Sequence, residues 1–115
     1  MKIEKASVVP IDFDGLKIFD YTADRELSSS VAEIEVAPGI RHKRSWSRRS
    51  DKFYYIVSGR LQFTLGDKTF DLVAGDTCVV KQGQPFHYAN LSDEPCRTIL
   101  FHTPSFDLSF EVFED

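Results

Sequence analysis

The chain has 115 residues, 42% of them hydrophobic, with ten Phe, four Tyr and one Trp, and a net charge of −4. That length allows one domain over residues 1–115 and no second core, and the aromatic content suits pleated, half-buried surfaces. The charge is uneven: residues 41–52 hold six Lys or Arg against one Asp while the remainder is strongly acidic, which excludes the domain-wide basic face of a general nucleic-acid binder.

The first twelve residues, MKIEKASVVPID, carry acidic side chains and no apolar core, so no secretion signal is expected. No apolar run approaches the roughly 20 residues of a membrane span, so no membrane partner and a cytoplasmic location are expected. Short segments of strand length follow, separated by turn residues. Leu16–Thr22 comes first, then a polar stretch over 22–30 that reads as a loop, then Ser30–Val36 up to Pro38-Gly39. The basic stretch from Arg41 to Arg49 reads as a loop and strand. Beyond it lie Lys52–Ser58, Arg60–Gly66, Lys68–Val73, Thr77–Lys81, Pro85–Asn90 and Cys96–His102. Leu61, Phe63 and Leu65 alternate with Arg60, Gln62 and Thr64, which marks one buried and one wetter face. No window shows a capped helical period. Short strands with frequent turns predict an all-β sandwich or small barrel. Cys78 and Cys96 are too few and too far apart for a disulfide scaffold or a redox pair and read as reduced thiols. Asn90-Leu91-Ser92 matches a glycosylation sequon, discounted here for want of a secretion signal.

Two spacings carry a resemblance. Gly39 is followed by five residues, Ser45-Trp46-Ser47, four residues, Lys52, six residues and Gly59; further on stand Gly75-Asp76, Gly83, Phe86 and Asn90. This is similar to the two motifs of the cupins, G-x5-H-x-H-x4-E-x6-G and G-x5-P-x-G-x2-H-x3-N, here at residues 39–59 and 75–90. The resemblance implies a jelly-roll, or double-stranded β-helix, barrel. In that family three His and one carboxylate facing into the barrel hold a transition metal. Here Ser45, Ser47, Lys52 and Phe86 occupy those positions. A hydroxyl is a weak neutral donor, an ammonium has no free lone pair and a phenyl ring donates nothing, so no metal and no other cofactor is expected. A rebuilt site would have to draw on His42, Asp51, His87 and His102. Asp51 and His87 neighbour inward positions and should face outward, barring a bulge.

Strand parity carried through these motifs points Ser45, Ser47, Lys52, Tyr54, Ile56, Phe86 and Tyr88 inward, with Phe63. Apolar walls with a few convergent polar groups describe a small-molecule pocket. The expected ligand-binding set is Ser45, Ser47, Lys52, Tyr54, Phe63, Phe86 and Tyr88, with Arg44 from the basic rim. Lys52 either grips an anionic group or acts as a desolvated amine, or else it snorkels to the barrel mouth or pairs with a carboxylate such as Glu33 or Glu35. Arg41, Lys43, Arg44, Arg48 and Arg49 either recruit an anion or protect a solvated strand edge.

The expected function is metal-independent binding of a small anionic or sugar-like molecule in the barrel. One alternative is a metal-free isomerase, epimerase or cyclase using Lys52, His87 or a Tyr as acid and base. Another is a dimeric scaffold or regulatory protein with a closed barrel. A homodimer is expected, because Phe53, Tyr55 and Val57 form an outward apolar face that needs covering.

Overall fold

A computed structural model describes residues 1–114. Eleven strands follow one another among them: β1 (Ile11–Phe13), β2 (Leu16–Asp20), β3 (Ser30–Val36), β4 (Arg41–Ser47), β5 (Asp51–Ser58), β6 (Arg60–Leu65), β7 (Lys68–Val73), β8 (Thr77–Val80), β9 (Phe86–Ala89), β10 (Cys96–Thr103) and β11 (Glu111–Phe113). Single 3-10 turns stand at Lys5–Ser7 and Leu108–Phe110. The strands pair antiparallel into two sheets, ordered β1-β2-β3-β10-β5-β8 and β11-β4-β9-β6-β7. This is the all-β jelly roll that the motifs imply.

Alternation does most of the work. Leu61 and Phe63 of β6 are buried while Arg60 and Gln62 are exposed, and Tyr54 and Ile56 of β5 face them from the other sheet. Phe63 stacks on Phe86 at 5.8 Å and on Tyr88 at 5.4 Å, and Tyr54 meets Phe63 edge-on at 5.3 Å. Each fully buried aromatic of this kind contributes about 1.5–3 kcal/mol by area, and edge-on or offset pairing adds to it. Gly59 joins β5 to β6 with φ of +81°, and a Cβ there would lie 2.6 Å from the Pro95 carbonyl oxygen, so only glycine fits. Asn90 is wholly buried and its amide donates to the carbonyls of Val36 and Glu94, which ties the β9–β10 turn to β3. That motif residue is structural, and its burial removes the sequon from consideration. No helix among the described residues is long and apolar enough to cross a membrane.

Two departures from the sequence reading shape the interior. The first is in β4, which is a full strand over Arg41–Ser47. His42 pairs with Tyr88 and Ser45 with Phe86, so β4 has one residue more than β9 between these two pairs. Such a bulge turns two residues of odd separation to the same face. His42 therefore points inward together with Ser45, where strict alternation would have put it outside. The second is β11, too short to show any alternation in sequence. The segment leading to it runs from the six-stranded sheet to the five-stranded sheet and is fastened by the β4–β5 turn. Arg48 donates to the Ser109 carbonyl at 2.8 Å, Arg49 donates to the Ser105 carbonyl, and the Arg49 guanidinium lies 4.8 Å from the Phe110 ring centre. β11 then pairs with β4, Glu111 opposite Ser47.

Candidate ligand-binding site

The four positions where related barrels hold a metal are filled as their chemistry dictates. Ser47 caps the β4–β5 turn, its Oγ accepting from the backbone N–H groups of Arg49 at 3.2 Å and Ser50 at 2.9 Å. Ser45 is buried with no partner for its hydroxyl among the described residues. Lys52 is only 4% exposed and its ammonium pairs with the equally buried Glu111 carboxylate. That ammonium also lies 4.8 Å from the ring centre of Phe86, the fourth position, a cation–π contact. A cation facing a phenyl ring, one engaged hydroxyl and one free hydroxyl do not fit a transition metal. Among the described residues no three His, Cys, Asp or Glu side chains gather in a metal-binding geometry. Asp51 accepts from the Gln82 backbone N–H near the surface, and His87 pairs across to Thr64 on the face opposite Phe86.

Lys52 was expected to pair with Glu33 or Glu35 if it paired at all, and here the structure corrects the reading. Glu33 is buried on the outer face of β3 between Lys5 and Arg97, each at 2.5 Å. The partner of Lys52 is Glu111, brought in by the crossing C-terminal segment.

Beside this ion pair lies a cavity of about 270 Å³ between the two sheets. Its polar lining comes from Asp20, Ser30, His42, Lys52, Tyr54, His102 and Glu111, and its apolar wall includes Phe13, Ile34, Leu100, Phe106 and Phe113. His42 packs on Phe86 at 5.1 Å and on Tyr88 at 5.0 Å. Its Nδ1 lies 2.6 Å from the Lys43 carbonyl oxygen. A carbonyl only accepts, so Nδ1 carries the proton and Nε2 keeps its lone pair. Burial lowers the His42 pKa to about 4, and the imidazole is neutral at pH 7. His102, two residues beyond Leu100 on β10, shares the inward face and is 5% exposed. Burial, with the nearby Lys52 charge, lowers its pKa to about 3. Burial also pulls the Lys52 amine below its usual value, against the opposing effect of Glu111. The cavity thus presents a lone pair, an ammonium, a carboxylate and a second neutral imidazole on a largely apolar surface, with Asp20 and Ser30 as its further polar residues.

Of the residues expected to bind a ligand, Lys52 and Tyr54 line this cavity. Ser45, Ser47, Phe63, Phe86 and Tyr88 lie behind it in the core, and Arg44 is ion-paired with Glu114 at the surface, 5.9 Å from the Trp46 ring centre. The expected binding set lacked His42 and His102, which the sequence offered only as ligands of a rebuilt metal site, and Glu111, which it did not single out. The parity of Cys96, Thr98, Leu100 and His102, all buried, would have found His102. His42 was hidden by the bulge, and Glu111 lies on a strand without a sequence signal.

No curated protein matches the chain in sequence. Among solved structures, Streptomyces Pac13, described as a nucleoside dehydratase, superposes with a TM-score of 0.86 at 22% identity, covering 99% of this chain and 90% of Pac13. Pac13 has been determined with uridine in a His→Gln variant and in two Tyr→Phe variants. A predicted oxalate decarboxylase from Thermotoga maritima superposes with a TM-score of 0.82 at 15% identity, covering 90% of this chain and 99% of that one. Bacillus subtilis oxalate decarboxylase, a protein with Mn(II) centres, gives 0.82 at 20% identity over 95% of this chain and 30% of its own. At these identities the likeness establishes the fold. The cupin domain model matches residues 32–102, well over half of the chain, and the protein belongs to the cupin family.

Proposed function

We propose that this cupin binds a small, neutral, hydroxylated ring compound, sugar-like or nucleoside-like, in the cavity beside Lys52 and without a transition metal. The observation that carries the reading is the lining itself. The Nε2 lone pair of His42, the Lys52 ammonium and the Glu111 carboxylate alternate as acceptor, donor and acceptor around an apolar wall, which suits a ligand whose hydroxyls both donate and accept. The sugar-like alternative is preferred to the anionic one on electrostatic grounds. Lys52 has its counter-charge in Glu111, and Arg48 and Arg49 are engaged with the C-terminal segment. A thermal-shift screen of nucleosides and sugars against their phosphorylated counterparts tests this. The neutral compounds should raise the melting temperature in the presence of a chelator, and stabilisation by the phosphates alone would refute it.

A second reading, that the bound molecule also reacts, is favoured by the fixed tautomer of His42. A neutral imidazole with a free lone pair, in a largely apolar cavity shared with an ammonium, is equipped to take and return a proton, and Pac13 combines this fold with a nucleoside dehydratase activity. His42 replaces His87 as the candidate base. Deuterium exchange into a bound nucleoside in D2O, present with the wild type and absent with His42→Gln, would support it; no exchange with either would count against it.

The outward face of β5, β8 and β10, with Tyr55, Val79 and Phe101 exposed and Phe53 half-buried, is read as the pairing face of a homodimer. Light scattering at twice the chain mass supports that reading, and a monomer at high concentration refutes it.

A further inference from the structure

Strand pairing sets His102 of β10 directly opposite Lys52 of β5, and both side chains line the same cavity. They differ in how their polar atoms are satisfied. The Lys52 ammonium has three protons to donate, and Glu111 is its one charged partner among the described residues. The His102 ring is 5% exposed, meets Phe106 edge-on at 5.2 Å, and its Nε2 has no hydrogen-bond partner among the described residues. A buried nitrogen left unpaired is rare in folded proteins and carries an unreturned desolvation cost. Here it adjoins a cavity rather than solid core, so a ligand atom can satisfy it.

The chemistry of the pair narrows that atom. The group must accept from an ammonium, and it must meet an imidazole nitrogen whose proton may stand on either ring position. A hydroxyl does both: its oxygen accepts from Lys52, and it donates to a bare Nε2 or accepts from a protonated one. A carbonyl oxygen only accepts and so fits one tautomer alone. A carboxylate would add a further negative charge to a cavity already lined by Glu111, which balances Lys52, and by Asp20. We propose that Lys52 and His102 together form a hydroxyl-recognition site, with a sugar-type hydroxyl of the ligand seated between them. This deepens the proposed function and rests on it: the apolar wall of Ile34, Leu100 and Phe106 receives the ring, and the Lys52–His102 pair fixes its orientation.

Calorimetric titration with uridine, uracil and methyl β-D-ribofuranoside tests the site, because uridine and the riboside carry sugar hydroxyls and uracil does not. His102→Phe keeps the ring size and removes the polar nitrogens. It should weaken uridine and the riboside about tenfold, the loss of one hydrogen bond, and leave uracil unchanged. His102→Gln, with an amide that both donates and accepts, should restore most of the affinity. In the wild type, the His102 Nε2 resonance in a nitrogen-15 spectrum should move with uridine and stay with uracil. Should the Phe variant fail to fold, the Gln variant and this resonance decide. Equal losses for uridine and uracil, or no loss with either, would overturn the hydroxyl site and leave the wider reading of the cavity standing. No binding of any of the three by the wild type would overturn that reading and the hydroxyl site with it.

Discussion

Two buried carboxylates, one on the outer face of the six-stranded sheet and one on the five-stranded sheet facing the barrel interior, behave differently. Glu33, on the outer face of β3, is 3% exposed and meets two cations, Arg97 on one oxygen and Lys5 on the other. Those cations are themselves half exposed, and Lys5 also lies 4.5 Å from the Phe19 ring centre. Burial pushes the Glu33 carboxyl up, but the hydrogen bonds from Lys5 and Arg97 outweigh it and hold it below the usual range. Glu111, on the inner side, is equally buried but has a single charged partner, which is buried as well. The outer cluster is closed on itself and fastens the N-terminal turn to the sheet. The inner pair is open: donor capacity remains on Lys52, and an unpartnered imidazole stands beside it. Burial alone does not separate structural charge from functional charge; unsatisfied capacity facing a cavity does.

Breaking the inner pair should have the largest effect. Lys52→Met leaves the Glu111 carboxylate buried and uncompensated, with an expected loss of about 3–5 kcal/mol in urea unfolding. Adding Glu111→Leu should recover most of that loss, since an apolar pair of similar volume replaces a buried ion pair at little cost. A double variant no better than the single would mean that the two residues do not act as a pair.

Acid titration comes next. In the unfolded chain both imidazoles take protons near 6.5, whereas in the folded protein His42 does so at about 4 and His102 at about 3. The unfolded state therefore binds more protons below pH 6.5, so stability is full above that value and falls as the pH drops, to about 4 for the His42 contribution and about 3 for that of His102. At pH 5 the expected loss is about 2 kcal/mol for each imidazole, from about 1.4 kcal/mol per pH unit. Melting curves at pH 7.5 and 5 measure it, and the slope should flatten in a His42→Gln/His102→Gln variant. An unchanged slope would place the acid sensitivity elsewhere.

At the outer cluster, Glu33→Gln should cost less, about 1–2 kcal/mol, because Lys5 and Arg97 can return to water. A loss as large as that of Lys52→Met would erase the contrast between the two carboxylates. The exposed Arg44–Glu114 pair should matter least: Arg44→Ala should change stability by under about 1 kcal/mol and leave ligand binding intact.

The barrel was legible in the sequence because glycines such as Gly59 and alternating runs such as Leu61–Phe63–Leu65 report backbone demands that few other residues meet. The poor fit of the motif positions to a metal was legible for the same reason: Ser45, Ser47, Lys52 and Phe86 sit at fixed spacings, and their donor chemistry can be judged without coordinates. The cavity was legible only in part. Lys52 and Tyr54 follow from parity, and His102 follows from the parity of β10. His42 depends on one extra residue in β4, which reverses parity and has no marker in the amino-acid types. Glu111 depends on where the C-terminal segment crosses from one sheet to the other, a tertiary fact carried by Arg48, Arg49 and Phe110 contacts that no local pattern announces. Arg44 misled because charge density in sequence says nothing about which way each side chain leaves the strand.

The most direct test of the account is calorimetric titration of uridine into the wild-type protein, before and after exhaustive dialysis against EDTA. A metal-independent cavity built on Lys52, His42 and Glu111 predicts the same affinity in both preparations. Binding that vanishes with EDTA and returns with Mn(II), or no binding in either preparation, would contradict it.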